Sequence, residues 1–182
     1  MEKVRMAGVE KEILVFSDSH GDATLMRRAL RAHPDADVIH LGDGLADLDE
    51  LDLSGHTVYR VMGNHEDFYS RFTGMAHGGA VNGILDVCGH RIFYTHGHRE
   101  HVKSGYDFAA LRAYTEGCDI LLFGHTHEMH DEYLPLGEYV GGTRIEHPLR
   151  IFNPGTAGSG WECSCGLLTF RGTDVLTSFI KD

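Results

Sequence analysis

Short apolar runs, each about the length of a strand and rich in β-branched or aromatic residues, recur along the first two-thirds of the chain. Two other stretches have apolar residues at helical spacing: residues 22–33, which end before Pro34, and residues 106–116, which end near Gly117. This alternation of strands and helices predicts an α/β fold. The five runs predicted as strands are 13–16, 38–41, 58–62, 91–95 and 120–123.

The C-terminal half adds pairs of apolar runs that are separated by short turns. Residues 84–87 and 91–95 flank Gly89, and residues 165–170 and 175–181 form a second pair about a glycine-containing turn. This spacing predicts antiparallel hairpins. Because hairpins beside α/β units indicate mixed sheets, we expect an α/β (α+β) architecture with parallel and antiparallel strands.

Length and composition are those of an ordinary globular protein. The chain has 182 residues, 42% of them hydrophobic and 24% charged, so we expect one domain over residues 1–182. No apolar run reaches the roughly 18 to 20 residues of a membrane-spanning helix. The first six residues lack an apolar signal core, and the four cysteines are scattered along the chain. We therefore expect a cytoplasmic protein with reduced thiols and no membrane partner.

The charge balance and the histidine content narrow the possible partners. Acidic residues outnumber basic ones, 27 to 16, which gives a net charge of −11. Because binding to long nucleic acids relies on Lys and Arg that neutralise phosphates, this balance argues against such a partner. Histidine is abundant, at 14 residues. Histidine is the commonest metal ligand, so the positions of these side chains matter more than their number.

Residues with metal-binding side chains follow each of the five predicted strands. In open α/β sheets, ligands bind just beyond the carboxyl ends of the strands. If the five strands lie in one sheet, the residues that follow them converge at one edge. Glycines beside them, such as Gly42 and Gly124, permit tight turns and close approach of the backbone. The converging side chains are Asp18, His20, Asp43, Asn64, His96, His125 and His127.

Seven oxygen and nitrogen donors exceed the number that one tetrahedral ion needs. They suit two hard or borderline cations, such as Mn²⁺, Ni²⁺, Zn²⁺ or Fe, that share a carboxylate and a water. No cysteine lies in these segments, so a structural zinc site built on thiolates is not expected. A single Gly-Asp-Gly or His-x-His is often only a turn, but five such segments at five strand ends favour a metal site.

Five segments carry these donors, and a sixth polar segment follows them: Asp18-x-His20, Gly42-Asp43, Gly63-Asn64-His65-Glu66, His96-Gly97-His98, Gly124-His125-Thr126-His127 and Asn153-Pro154-Gly155-Thr156. The first five resemble the signature blocks of the calcineurin-like metallophosphoesterase superfamily. The sixth resembles the N-P-G-(S/T) segment of the small single-domain phosphodiesterase branch. The resemblance covers nearly the whole chain and implies two mixed β-sheets packed as a sandwich and flanked by helices, a four-layer fold.

The resemblance also implies a role for each of these residues. The first metal ion would be held by Asp18, His20, Asp43 and His127. The second would be held by Asp43, as a bridge, together with Asn64, His96 and His125. His65 would be the catalytic residue that protonates the leaving oxygen or stabilises the transition state. His98 would line the substrate or orient a metal ligand. The implied cofactors are two divalent ions, Mn²⁺ first, with Ni²⁺, Zn²⁺ or Fe as alternatives.

The implied function is a phosphodiesterase that hydrolyses a small soluble phosphoester with a metal-activated hydroxide. A phosphomonoesterase or a nucleoside polyphosphate hydrolase on the same metal core is one alternative. The retromer subunit with this fold is a scaffold that has lost part of the ligand set, so a non-catalytic role is another. Because this chain keeps every expected ligand, the resemblance favours an enzyme. Homo-oligomerisation is compatible with this branch, and we expect the loops 66–82 and 137–147 to determine the substrate.

Overall fold

The computed structural model describes residues 11–73, 79–158, 160 and 162–182. These residues form twelve strands, three α-helices and two short 3-10 helices. The strands are β1 (Lys11–Phe16), β2 (Asp37–His40), β3 (Val58–Arg60), β4 (Asn82–Val87), β5 (His90–Thr95), β6 (Ile120–Leu122), β7 (Met129–Leu134), β8 (Tyr139–Val140), β9 (Thr143–Arg144), β10 (Leu149–Pro154), β11 (Ser164–Arg171) and β12 (Asp174–Lys181). The α-helices are α1 (Thr24–Ala32), α2 (Asn64–Thr73) and α3 (Asp107–Thr115), and the 3-10 helices are Leu45–Glu50 and Val102–Ser104.

Two five-stranded mixed sheets contain most of the strands. The first sheet has the order β12-β11-β1-β2-β3, in which β1, β2 and β3 are parallel and the hairpin β11–β12 adds through an antiparallel pairing. The second sheet has the order β4-β5-β6-β10-β7, with β5, β6 and β10 parallel and antiparallel strands at both edges. Strands β8 and β9 form a separate ribbon. The mixed sheets confirm the predicted architecture.

Three apolar clusters separate the layers of the molecule. Alternate residues of β1 point to opposite faces of its sheet: Ile13 packs against the second sheet, and Leu14 packs against α1. Helix α3 covers the outer face of the second sheet with small side chains such as Ala109. Burying each large side chain, such as Phe152 between the sheets, contributes about 1.5–3 kcal/mol. The order helix, sheet, sheet, helix is the four-layer sandwich that the resemblance implied.

The five strands predicted to precede the metal-binding residues are all present, but they lie in two sheets rather than one. Strands β1, β2 and β3 belong to the first sheet, and β5 and β6 belong to the second. Contacts between the sheets nevertheless bring their carboxyl ends together. Nδ1 of His96 lies 2.8 Å from the carbonyl of Leu41, and the N–H of His125 donates to Asp18 across 3.0 Å. The carboxyl ends of the five strands therefore meet at one edge of the sandwich, although the strands belong to two sheets.

Both predicted hairpins are present, as β4–β5 and β11–β12. Helix α2 and strands β7 and β10 were not predicted. The segment 66–82, expected as a loop, begins as helix α2, and its residues 74–78 lie outside the described residues. The segment 137–147, expected as a surface excursion, contains the ribbon β8–β9. Among the described helices, none combines the length and the apolar character needed to cross a bilayer.

Candidate metal centre

The turns that follow β1, β2, β3, β5 and β6 meet at one edge of the sandwich and bring the predicted donors together. Three overlapping groups of side chains have ligand atoms that all lie within 4.8 Å of one another. Asp43 belongs to two of these groups, so it stands between them. The groups are Asp18–His20–His127, Asp43–His96–His125 and His20–Asp43–His65.

Five of the seven predicted donors have a left-handed backbone conformation, with φ between 47° and 68°. Residues other than glycine adopt this conformation at a cost of about 1–3 kcal/mol each, although Asp and His do so more readily than most. Such strain is concentrated at functional sites, where the turn must direct a side chain to a fixed place. The five residues are Asp18, His20, Asp43, His125 and His127.

The first group, Asp18, His20 and His127, lies at the surface of the molecule and is called the open group below. Nε2 of His127 lies 3.2 Å from Oδ1 of Asp18, and Nε2 of His20 lies 3.8 Å from the same oxygen. The two Nε2 atoms are 3.4 Å apart. The Asp18 side chain is fully buried, whereas those of His20 and His127 are 24% and 39% exposed.

The second group, Asp43, His96 and His125, lies deeper and is called the buried group below. Nε2 of His96 is 3.5 Å from Oδ2 of Asp43 and 3.1 Å from Nδ1 of His125. Asn64, the first residue of α2, places its Oδ1 3.1 Å from the same Nε2. The side chains of Asp43 and His96 are 3% and 0% exposed. Four predicted donors therefore surround one point inside the protein.

A backbone contact orients the imidazole of His96, and burial keeps the imidazole of His125 neutral. Nδ1 of His96 lies 2.8 Å from the carbonyl of Leu41, which requires a proton on Nδ1 and leaves the lone pair on Nε2. Burial, together with the nearby charges of His96 and Lys103, lowers the pKa of His125 to about 4. Burial opposes charge on His96 as well, but Asp43 raises its pKa above the ordinary value.

Asp18 carries the clearest indication that a cation fits between these groups. Its Oδ2 accepts hydrogen bonds from the Ser17 hydroxyl at 2.5 Å and from the N–H of His125 at 3.0 Å. Its Oδ1 is buried, has no hydrogen bond within the described part of the chain, and faces imidazole nitrogens at 3.2, 3.8 and 4.0 Å. Burial raises the pKa of Asp18, but His127 and His96 outweigh it and lower the pKa. A buried anionic oxygen surrounded by lone pairs suits a divalent ion.

Glu66 joins two of the turns through its carboxylate. It accepts backbone N–H hydrogen bonds from Asp43, Gly44, Leu45 and Gly63, at distances of 2.8–3.0 Å. Hydrogen bonds to a charged group contribute about 1.5–3 kcal/mol each. Burial raises the pKa of Glu66, but these four donors outweigh it and lower the pKa. One side chain thus holds the turn after β2 against the turn after β3.

Asp43 is held from the same side by helix α2. Its Oδ1 accepts the N–H of His65 at 2.9 Å. Gly63 packs so closely against Asp43 that a Cβ there would collide with the carboxylate. Burial raises the pKa of Asp43, but hydrogen bonding and charge from His96 lower it well below the ordinary value. The position of this carboxylate therefore depends on both turns.

A buried polar network fixes the turns after β1 and β2. Nδ1 of His40 accepts the N–H of Gly42 at 3.1 Å, and its Nε2 lies 3.3 Å from the hydroxyl of Ser19. Ser19 donates to Asp47 at 2.6 Å, and the same carboxylate oxygen accepts the N–H of Gly21 at 2.9 Å. Burial lowers the pKa of His40 to about 4, which keeps this ring neutral. The network contacts the neighbours of Asp18 and Asp43 rather than the donors themselves.

The Asn-Pro-Gly-Thr segment supports the centre without contributing a donor. The side-chain amide of Asn153 donates to the carbonyl of Gly124 at 3.1 Å and to the hydroxyl of Thr126 at 3.0 Å. The hydroxyl of Thr156 donates to the carbonyl of Asp18 at 2.8 Å. The segment therefore ties the turn after β6 to the turn after β1, which belong to different sheets.

His65, predicted as the catalytic residue, stands at the mouth of the centre. It is the second residue of α2, and its side chain is 62% exposed. Its Nε2 lies 3.8 Å from Oδ2 of Asp43, and its ring centroid lies 5.1 Å from that of His20. His65 is thus close to both groups and open to solvent on its other side.

His98, predicted to line the substrate or to orient a ligand, packs behind the buried group. Its ring centroid lies 5.4 Å from that of His96, and its Nε2 lies 3.3 Å from Oδ2 of Asp67. Asp67 is also held by Arg99 at 2.9 Å. No sequence pattern singles out Asp67, and the role of Glu66 was not predicted although Glu66 stands in the third segment.

A cavity of about 780 Å³ opens beside the centre and is called the side cavity below. Its wall includes His20, Asp43 and His65, so it is continuous with the donor groups. The volume falls within the range of about 300–1,000 Å³ that is usual for small-molecule sites. The centre therefore has room for a substrate much larger than a phosphate group.

Known families and proteins match this chain over most of its length. The calcineurin-like phosphoesterase superfamily domain matches residues 12–170. The chain is 32% identical over 146 residues to the probable metallophosphoesterase YsnB of Bacillus subtilis, which covers 79% of this chain and 73% of that protein. It is 27% identical over 119 residues to the probable metallophosphoesterase MG207 of Mycoplasma genitalium, covering 64% of this chain and 66% of that protein, just under two-thirds.

Solved structures share the fold at lower sequence identity. A predicted phosphoesterase from Streptococcus pneumoniae has a TM-score of 0.66 and 22% identity, covering 93% of this chain and 88% of that one. Vps29 of Entamoeba histolytica, in complex with Zn²⁺, has a TM-score of 0.64 and 19% identity, covering 93% and 98%. An archaeal phosphodiesterase has a TM-score of 0.59 and 19% identity, covering 93% and 99%.

Proposed function

Since the chain belongs to the calcineurin-like phosphoesterase superfamily, we propose that it is a phosphodiesterase that acts on a small soluble phosphodiester with two divalent metal ions. The observation that supports this most directly is the position of Asp43, which shares one donor group with His20 and another with His96. A carboxylate in that position is suited to bridge two ions. The proposed first ion is held by Asp18, His20, Asp43 and His127, and the second by Asp43, Asn64, His96 and His125.

Two divalent ions in these groups would withdraw charge from the phosphoryl oxygens and lower the pKa of a nearby water. The protein's own residues would compensate charge, hold the ligands in place and supply a proton. Asp18 and Asp43 offset the charge of the ions, and Glu66 holds Asp43 in place through the turn backbone. His65 reaches the mouth of the centre, where its Nε2 can donate a proton to the oxygen of the departing group.

One feature favours a diester over a monoester. The side cavity adjoins His65, so an esterified group on the leaving side has a place to bind. One of the proteins with this fold is an archaeal phosphodiesterase, although at 19% identity it supports the fold rather than the substrate. Manganese as the native ion, a cytoplasmic location, self-association and a single domain over residues 1–182 stay predictions from the sequence.

The test compares bis-p-nitrophenyl phosphate with p-nitrophenyl phosphate. Protein stripped with EDTA is reloaded separately with Mn²⁺, Ni²⁺ or Zn²⁺, and metal content is measured beside turnover. We expect metal-dependent hydrolysis that favours the diester. A preference for the monoester would replace the proposal with a phosphatase. Stoichiometric loading without turnover on either substrate would favour a non-catalytic role.

A further inference from the structure

The side cavity extends from the proposed metal centre toward the end of β3 and the 3-10 helix Leu45–Glu50. Because its wall includes His20, Asp43 and His65, a phosphodiester at the centre would place one of its ester groups inside it. The residues on the remaining wall therefore decide which group is accepted. This inference rests on the proposed function.

The carboxylates on the cavity wall are mostly engaged. Asp43 belongs to the donor groups, Asp47 accepts two hydrogen bonds from the turn after β1, and Glu66 accepts four N–H donors. Asp49 is different, because its side chain is exposed and has no hydrogen bond or ion pair to any described residue. A carboxylate in this position can accept hydrogen bonds from the neutral hydroxyls of a ligand.

Arg60 gives the cavity a hydrogen-bond donor, where Asp49 gives an acceptor. It is the last residue of β3 and is exposed, and among the described residues on the wall no other Lys or Arg occurs. It makes no ion pair within the described ranges. The planar guanidinium can donate two parallel hydrogen bonds to the edge of a heterocycle and can also lie against a flat ring.

An aromatic and apolar wall completes the cavity. Tyr69 of α2 lines it with 60% of its surface exposed, next to Leu45 and Ala46 of the 3-10 helix. An exposed aromatic ring offers a platform on which a planar base can stack. The cavity thus combines a flat apolar surface with one group of hydrogen-bond donors and one group of acceptors.

We propose that the side cavity binds a nucleoside and that the substrates are phosphodiesters with a nucleoside on the leaving side. The base packs against Tyr69 and bonds to Arg60, and the sugar hydroxyls donate to Asp49, as acidic residues do to ribose in nucleotide sites. A second phosphate in the cavity would be repelled by Asp49, and an aliphatic group would displace water from Asp49 and Arg60 without replacing its hydrogen bonds.

The reaction follows from this placement. A water oxygen loses one proton to the solvent and forms the new bond to phosphorus while the bond between phosphorus and the nucleoside oxygen breaks. The nucleoside oxygen takes its proton from His65, which lines the same cavity and is reprotonated from the solvent. The products are a nucleoside with a free hydroxyl and a phosphomonoester.

The test uses adenylyl-(3′,5′)-adenosine, which has a nucleoside on each side of its phosphate, so that one must enter the cavity. Methyl p-nitrophenyl phosphate, which has no sugar and no base, is the reference diester. With metal-loaded protein, Arg60→Gln should lower kcat/KM for the dinucleoside by about tenfold more than for the reference. Tyr69→Leu should raise KM for the dinucleoside by about fivefold or more.

Matched variants elsewhere on the surface give the controls. Arg31→Gln changes an exposed arginine of α1, and Tyr133→Leu changes an exposed tyrosine of β7. Both should leave the two kcat/KM values as in the parent protein. The proposal is overturned if Arg60→Gln cannot be told from Arg31→Gln on the dinucleoside. It is also overturned if Tyr69→Leu has no more effect on the dinucleoside than Tyr133→Leu, because the aromatic ring of Tyr69 would then not contribute to binding.

Asp49→Ala, which removes the acceptor, gives a separate readout of the sugar. The parent protein should prefer the ribose form of the dinucleoside over the 2′-deoxy form, and the variant should lose that preference. Turnover of the reference diester without turnover of the dinucleoside would contradict the nucleoside assignment and leave the phosphodiesterase proposal standing. If the metal-loaded parent protein hydrolyses neither the dinucleoside nor the reference diester, the proposed function itself is contradicted.

Discussion

The open group and the buried group use the same kinds of side chain in very different surroundings. In the buried group, Asp43 and His96 are almost inaccessible, and the Leu41 carbonyl and the N–H of His65 fix their orientations. In the open group, the imidazoles of His20 and His127 are partly exposed and lie against each other and against Asp18. The buried donors are already oriented by protein contacts, whereas the open donors need an ion to hold them.

This difference predicts unequal metal affinities. A site whose ligands are ordered in advance loses less conformational entropy on binding than one whose ligands must be immobilised. The buried group should therefore fill first and exchange slowly, and the open group should bind more weakly. Substitutions can test this inequality, and a change at Asp43 should affect both groups.

Asp43→Asn should have the largest effect, because Asp43 is the donor that stands between the groups. Loss of its negative charge weakens both sites, so metal content and phosphodiesterase activity should fall together by more than about 100-fold. Metal analysis after gel filtration and assay of the same fractions check this. Retention of two ions per chain would contradict the bridging role.

His65→Ala should separate chemistry from metal binding. The imidazole of His65 is exposed and is a candidate proton donor, so kcat should fall by about 10²–10⁴-fold while metal content stays as in the parent protein. Substrates with good leaving groups need less protonation and should lose less activity. Equal activity of the variant on a poor leaving group would rule out the proton donor role.

Glu66→Gln should weaken metal binding less than Asp43→Asn does, because Asp43 keeps its charge but is held less firmly. The amide keeps one acceptor oxygen, but its NH₂ then faces backbone N–H donors, so the turn that carries Asp43 loosens. Metal affinity should fall by about 10–100-fold, as for other changes next to a ligand. Competition with a chromogenic chelator measures the affinity, and Glu146→Gln, at an exposed position away from the centre, is the matched control. An unaltered affinity would show that the four hydrogen bonds are dispensable.

A comparison of His96→Ala with His127→Ala tests the inequality between the groups directly. His127→Ala should lose the weaker ion and keep the tighter one, whereas His96→Ala should lose the tighter ion. Stepwise calorimetric titration with Mn²⁺ distinguishes the two results. Two equal binding steps in the parent protein would contradict the comparison.

Removal of the metal should give a moderate loss of thermal stability. Ions that bind only the folded chain at 100 times their dissociation constant stabilise it by about 2.7 kcal/mol, or roughly 5–10 °C in Tm for a chain of this size. Differential scanning calorimetry before and after EDTA treatment measures the shift. The larger part should return with the first equivalent of metal, which fills the buried group.

The sequence indicated the donors well because each of them follows a recognisable strand within a short segment. It did not indicate helix α2, because its only apolar pattern is the short set around Phe68 and Phe72, which are 60% and 75% exposed and do not continue over further turns. The role of Glu66 was also hidden, because its partners are backbone N–H groups about 20 residues earlier in the chain as well as Gly63. Backbone partners leave no trace in side-chain composition.

The division of the five strands between two sheets could not be deduced from their patterns. Strands β2 and β6 are both short and buried, and nothing in their composition assigns them to different sheets. The pairing depends on β10 and β11, which come late in the chain and add to the sheets beside β6 and β1. Contacts of such high sequence separation belong to the tertiary fold rather than to local preference.

The left-handed turns have a consequence for how this protein can change. Glycine adopts that backbone conformation freely, so replacement of His127 by Gly would relax the turn at the same time as it removes the donor. At these positions, the side chain that suits metal binding is therefore not the one that suits the backbone of the turn. A lineage could discard its ions through mutations that are neutral or favourable for stability, and the sandwich would persist for other uses.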